Sequence, residues 1–149
     1  MKIRFTAFIV VVVCVAILAG CSKKRDPEEA WADYEMTGTL VSADTGEPVK
    51  GMVVSITKVT GNRSPIILPT TTTDTRGRFT LVVNSHYTKL ISFVLSIKNP
   101  AGLEEGAVRY EESDREVVFQ NASFVNSAGD FFAGTATKNL KEITLTPVE

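Results

Sequence analysis

The chain has a single histidine, His86, which directly follows Ser85. A Ser-His-Asp hydrolase needs an imidazole within hydrogen-bond reach of its serine and a carboxylate behind the imidazole. Neighbours on an extended chain point to opposite faces, so His86 would have to serve a serine other than Ser85, with a distant Asp closing the set. A Ser-x-x-Lys spacing occurs at Ser55-Ile56-Thr57-Lys58, the pattern in which a lysine activates a serine one helical turn away. On a regular strand, positions three apart face opposite sides, and that lysine cannot reach the serine. No Gly-x-Ser-x-Gly elbow is present. The carboxylates of Glu104, Glu105, Glu111, Glu112, Asp114 and Glu116 crowd one stretch, but their spacing matches no calcium loop and Arg109 and Arg115 interrupt the field. The chain is therefore expected to carry no catalytic residues, no metal site and no cofactor.

Binding chemistry is the stronger expectation. Phe131 and Phe132 are consecutive, so on a strand one ring faces outward, which makes the pair a possible partner surface. A glycan- or small-ligand-binding surface would instead require Tyr87, Tyr110 or Phe132 to be exposed beside polar groups. Formal net charge is −1, with 16 Lys and Arg against 17 Asp and Glu. No basic face is large enough to neutralise a row of phosphates, which excludes nucleic acid as a partner.

The elements that position these residues begin with an N-terminal leader. Residues 1–20 carry only two charges, Lys2 and Arg4, followed by an unbroken apolar run from Ala7 to Ala19. Thirteen helical residues rise about 20 Å, short of the roughly 30 Å hydrocarbon core, so the run reads as a signal peptide. The segment Leu18-Ala19-Gly20-Cys21 resembles the lipobox of bacterial lipoproteins. The resemblance implies cleavage between Gly20 and Cys21, diacylglycerol on the Cys21 thiol and often an acyl chain, such as palmitate, on the new amine. Two or more chains suffice for stable attachment. Cys14 would leave with the leader and Cys21 would be lipidated, so the folded part would have no disulfide and no thiol chemistry.

Residues 21–33, CSKKRDPEEAWAD, have no apolar period and are expected to form a tether. Ser22-Lys23-Lys24-Arg25 places three cations beside the lipid, as a retention or sorting signal or as a solvated linker. A Ser after the lipidated Cys resembles outer-membrane lipoproteins, and the absence of an acidic run directly after it favours a periplasm-facing domain over a surface-exposed one. Trp31 is expected to pack back on the domain rather than touch the interface.

From Tyr34 to Glu149 the hydropathy alternates with period two, as in Phe79, Leu81 and Val83, or Ile91, Phe93, Leu95 and Ile97. Strands are expected at 34–42, 51–59, 70–74, 77–84, 90–98, 116–125, 130–136 and 140–147. Asp44-Thr45-Gly46-Glu47-Pro48, Asp74-Thr75-Arg76-Gly77 and Asn99-Pro100-Ala101-Gly102 supply turn chemistry. The pattern predicts an all-β fold, a single sandwich of about seven to eight strands over residues 34–149.

The segment Thr37-Gly38-Thr39-Leu40-Val41, the turn Asp44 to Gly51 and the block Thr73-Asp74-Thr75-Arg76-Gly77-Arg78-Phe79 resemble carboxypeptidase regulatory-like, or transthyretin-like, β-sandwich domains. The likeness runs over residues 35–97, with Ile143 to Pro147 similar to the family's last strand. It implies an immunoglobulin-like Greek-key sandwich in which the block serves the fold, not catalysis. The layout of anchor plus sandwich resembles small lipoproteins of Bacteroidota-type bacteria, including those associated with radical-SAM systems. The resulting expectation is a non-enzymatic, membrane-anchored envelope lipoprotein that is a binding or accessory module for another envelope protein. The alternatives are a glycan- or small-ligand-binding lipoprotein and a hydrolase using His86.

Overall fold

The computed structural model describes residues 30–61 and 67–149. Gly20, Cys21, the leader and the basic run lie outside the described residues, so the lipidation reading is carried by sequence alone. The described chain forms nine strands: β1 (Trp31–Ser42), β2 (Val53–Thr60), β3 (Thr70–Thr72), β4 (Arg78–His86), β5 (Leu90–Lys98), β6 (Arg109–Tyr110), β7 (Ser113–Gln120), β8 (Phe132–Leu145) and β9 (Pro147–Val148). One sheet has the order β4-β1-β8 and the other β3-β2-β5-β7, with β6 and β9 forming a small ribbon. The fold is an all-β sandwich, two sheets around one core.

Period-two alternation places one face of each strand between the sheets. Ala32, Tyr34, Met36 and Leu40 of β1 are fully buried and meet Val54, Phe93 and Leu95 from the other sheet. Full burial of such a side chain contributes about 1.5–3 kcal/mol, and this core is what holds the two sheets together. Tyr34 anchors a ring cluster, with centroids 5.5 Å from Phe93, 5.3 Å from Phe119 and 5.6 Å from Phe124. Its hydroxyl donates to the His86 carbonyl at 3.0 Å and accepts from the Thr88 amide at 3.2 Å, so a polar atom is buried without losing its hydrogen bonds.

The block from Thr73 to Phe79 closes the opposite end. Thr73 is buried, and its hydroxyl donates to the Val49 carbonyl at 2.7 Å while accepting from the Met52 amide at 3.1 Å. The Asp74 carboxylate accepts from the Arg76 and Arg78 amides, both at 2.9 Å. Gly77 has φ of 71°, and a Cβ there would collide with the Leu40 carbonyl, so both torsion and space require glycine. Phe79 enters the core beneath Gly38, where a Cβ would lie 2.7 Å from its ring.

Three expected boundaries are corrected. The tether was expected to reach Asp33, but Trp31, Ala32 and Asp33 already belong to β1, paired with His86, Ser85 and Asn84. Alternating side chains at Trp31, Asp33 and Glu35 hid the strand, because only its inner face is apolar. The seventh strand spans 113–120 rather than 116–125, since Asn121 turns the chain at φ of 48°. The strands expected at 130–136 and 140–147 are one strand, β8, which pairs in parallel with β1. A bulge absorbs the apparent break. The register shifts between Thr37 and Thr39, Lys141 takes φ of 59°, and the Asn139 side chain accepts the Lys141 amide at 2.8 Å.

Candidate functional site

β4 is an edge strand: β1 lies on one side, and among the described residues no strand pairs with the other. From Phe79 to Ser85 it carries neither charge nor proline. Edge strands are commonly blunted by lysine, proline or bulges, and this stretch of β4 has none of them. The edge at β7 differs, since Asp114, Arg115 and Glu116 put charges along it.

Two shallow grooves flank β4. At one end Trp31, Val82 and Asn84 face Ile67 and Pro69 around about 390 Å³ of largely apolar space. At the other, about 590 Å³ is lined mainly by hydroxyls and amides from Thr37, Thr39, Thr71, Thr72, Thr80 and Asn139, with the Asp74 and Arg78 pair at its rim. Asp74 and Arg78 form an ion pair at 3.4 Å. The amide of Arg78 holds the Asp74 carboxyl below its ordinary value, with smaller help from the Arg76 amide and the Arg78 charge. That arrangement fixes the turn and offers hydrogen-bonding groups, and it brings no nucleophile next to a base.

The sequence-predicted residues fall as follows. Ser85 is buried on the inner face, while His86 lies outside with its ring 4.1 Å from that of Trp31. The two therefore do not face each other, and the Trp31 ring packs on His86 while staying part-exposed. The Ser55-x-x-Lys58 argument is corrected. A bulge between Ile56 and Lys58 sets Ser55 opposite Ser96 and Lys58 opposite Val94, so both side chains share the outer face. Lys58 is nevertheless exposed, far from the desolvated setting that activates a lysine. Among the described residues no three His, Cys, Asp or Glu side chains converge to hold a metal. Glu112 instead accepts the Asn99 amide at 3.3 Å, and Asn99 braces Tyr110 through its backbone.

Phe131 is 54% exposed, and Phe132 is half-buried at the start of β8. Tyr87, Tyr110 and Phe132 are each part-buried, where sugar stacking on them calls for exposed rings. Tyr87 and Tyr110 pack against the core, and Tyr87 meets Phe124 edge-on at 5.1 Å. Sequence reading missed β4 as an edge because strand order depends on distant pairing. The uncharged run Phe79 to Ser85 was the available signal.

No family model matches the chain, and no curated protein does. Solved structures match parts of the chain at low identity. The shaft pilin SpaA from Lactobacillus rhamnosus GG is 18% identical with a TM-score of 0.41, covering 78% of this chain and 47% of the pilin. The C-terminal domain of that pilin is 17% identical, with a TM-score of 0.42 over 78% of this chain and 98% of the domain. A 9R-lipoxygenase from Cyanothece reaches a TM-score of 0.30 at 13% identity, over 81% of this chain and 17% of the enzyme. The chain thus spans about half the length of the full shaft pilin it matches. At these identities the likeness concerns the fold alone. No helix among the described residues is long and apolar enough to cross a membrane.

Proposed function

We propose that the protein is a non-enzymatic lipoprotein of the cell envelope, held in the outer membrane by lipid on Cys21 and facing the periplasm. Its β-sandwich is a binding module that takes up an extended segment of another envelope protein along β4. The uncharged edge of β4, unpaired among the described residues, carries this reading, because main-chain groups there can add a strand while the threonine-lined groove beside it receives alternate side chains. The lipobox Leu18-Ala19-Gly20-Cys21 and the likeness to regulatory-like domains of small Bacteroidota-type lipoproteins support the anchor and the accessory role.

A photo-crosslinker at Val82 or Asn84 in intact cells, followed by mass spectrometry, tests it. One envelope protein should be attached at these positions and absent when the crosslinker sits at Thr60 on the other sheet. Equal labelling at both positions would sink the edge-binding reading. Cys21→Ala should release the protein from the membrane fraction. The threonine-lined groove favours a second reading, a small polar ligand or glycan segment. Retardation on a polysaccharide gel that Thr80→Val abolishes would select that reading over the first.

A further inference from the structure

The sandwich has two ends of contrasting chemistry, and the chain enters at the apolar one. β1 begins there, β4 and β7 finish there, and β5 and β8 start there. Most of the exposed large apolar side chains gather at that end: Ile67 is 76% exposed, Leu90 57%, Val125 58% and Phe131 54%, while Val108 and Val148 lie at the other. Ile67 shares the groove with Trp31, and the Trp31 amide donates to the Phe131 carbonyl at 2.7 Å, so these residues form neighbouring parts of one surface. The described loops of this end, 67–69, 87–89 and 121–131, carry one basic residue, Lys89, and one acidic residue, Asp130. At the far end, loops 43–52, 73–77 and 99–112 carry seven carboxylates against three basic residues.

Position along the chain identifies what covers the apolar end. Eight residues, 22–29, separate Cys21 from Ala30, the first described residue. Even fully extended they reach only about 30 Å, less than the roughly 40 Å length of a twelve-residue strand such as β1. If Cys21 carries lipid, the end containing Trp31 is held at the bilayer. Apolar groups with an aromatic ring suit the headgroup boundary. Carboxylates at the far end are repelled by anionic headgroups.

We propose that this end of the sandwich, centred on Trp31, Ile67, Leu90 and Phe131, seats directly in the bilayer interface. The domain then stands upright on the membrane with its acidic loops outermost. The inference rests on the lipoprotein reading for its anchor, and it assigns Phe131 to lipid rather than to a protein partner. Acyl chains on Cys21 suffice for attachment, so the seated end determines orientation.

Trp31 is the only tryptophan of the chain, so its emission reports the seat directly. The full lipidated protein would be reconstituted into phosphatidylcholine and phosphatidylglycerol vesicles with or without brominated acyl chains. Emission should fall at least twofold in the brominated vesicles. The triple variant Ile67→Asp, Leu90→Asp, Phe131→Asp should lose that quenching while remaining vesicle-bound, with an unchanged circular dichroism spectrum. If the triple variant fails to fold, Phe131→Asp alone should halve the quenching. Equal emission in the two vesicle types would overturn the proposal, as would concentration-dependent pairing of copies through Phe131 in place of quenching. Mass measurement of the N-terminal peptide separates the two readings. A Cys21 without lipid would defeat the lipoprotein assignment and the seat with it, whereas lipidated, vesicle-bound protein without quenching would overturn the seat alone.

Discussion

At the end where β1 begins, aromatic rings fill the space between the sheets, whereas at the opposite end hydrogen-bonded turns close it. Tyr34, Phe93, Phe119 and Phe124 meet at centroid distances between 5.3 and 5.8 Å, mostly edge to face. The far end relies on Thr73, Asp74 and Gly77, whose contacts are directional and made to backbone. Packing by rings tolerates variation in the loops above it, and so leaves that surface free to be apolar. Turns that depend on carboxylate and glycine geometry constrain sequence at the surface itself.

Several substitutions would sharpen or break this contrast. Phe93→Ala removes a fully buried ring from the cluster and should cost about 3–5 kcal/mol, read as a lowered urea midpoint. Gly77→Ala should cost about 1–3 kcal/mol through backbone strain, with more added by the collision with Leu40. Gly46→Ala has a similar φ of 70° but open space around it, so its smaller loss isolates the torsional part. If both cost the same, the far end is not closed by the contact at Gly77. Thr73→Val leaves the buried Met52 amide without its acceptor and should cost about 1–3 kcal/mol, with hydrogen exchange accelerating at Met52 and Gly51 but not at Tyr87.

The two ends also titrate in opposite directions. Burial raises the Tyr34 hydroxyl above its ordinary value near 10, partly offset by the Thr88 amide and reinforced by nearby Tyr87. Its contribution is intact below that value and is lost as pH climbs through the folded one, so alkali should loosen the ring-packed end first. Tyr34→Phe should remove this alkaline loss in a pH series of thermal melts. Asp74 is held low by the Arg78 amide, so its contribution is present above the ordinary carboxylate value and declines as pH falls through the lowered one. Asp74→Asn should flatten the acid side, the smallest of these effects because the carboxylate is exposed.

Much of the architecture is legible from alternation alone, since β2, β4 and β5 bury the residues that the period-two pattern selects. The bulges at Thr57 and Lys141 are not legible, because a single inserted residue looks locally like a strand end or a change of face. Turn residues Asp74 and Gly77 could be assigned in advance because their geometry is local. The edge position of β4 could not, since it depends on β1 lying between β4 and β8, pairings set by residues about forty to a hundred positions apart. The grooves beside it inherit that dependence.

The parallel pairing of β1 with β8 joins segments about a hundred residues apart, with Trp31 opposite Phe132 and Leu40 opposite Ile143. Closing so long a loop must precede any gain from the contacts it brings, which makes pairing of this kind slow. Until Phe132 to Leu145 arrive, β1 has β4 on one side only, and Tyr34 and Met36 lack the cover that Ala136 gives them. The β4-β1-β8 sheet is therefore completed last, and the folding of this half of the sandwich is timed by the arrival of β8.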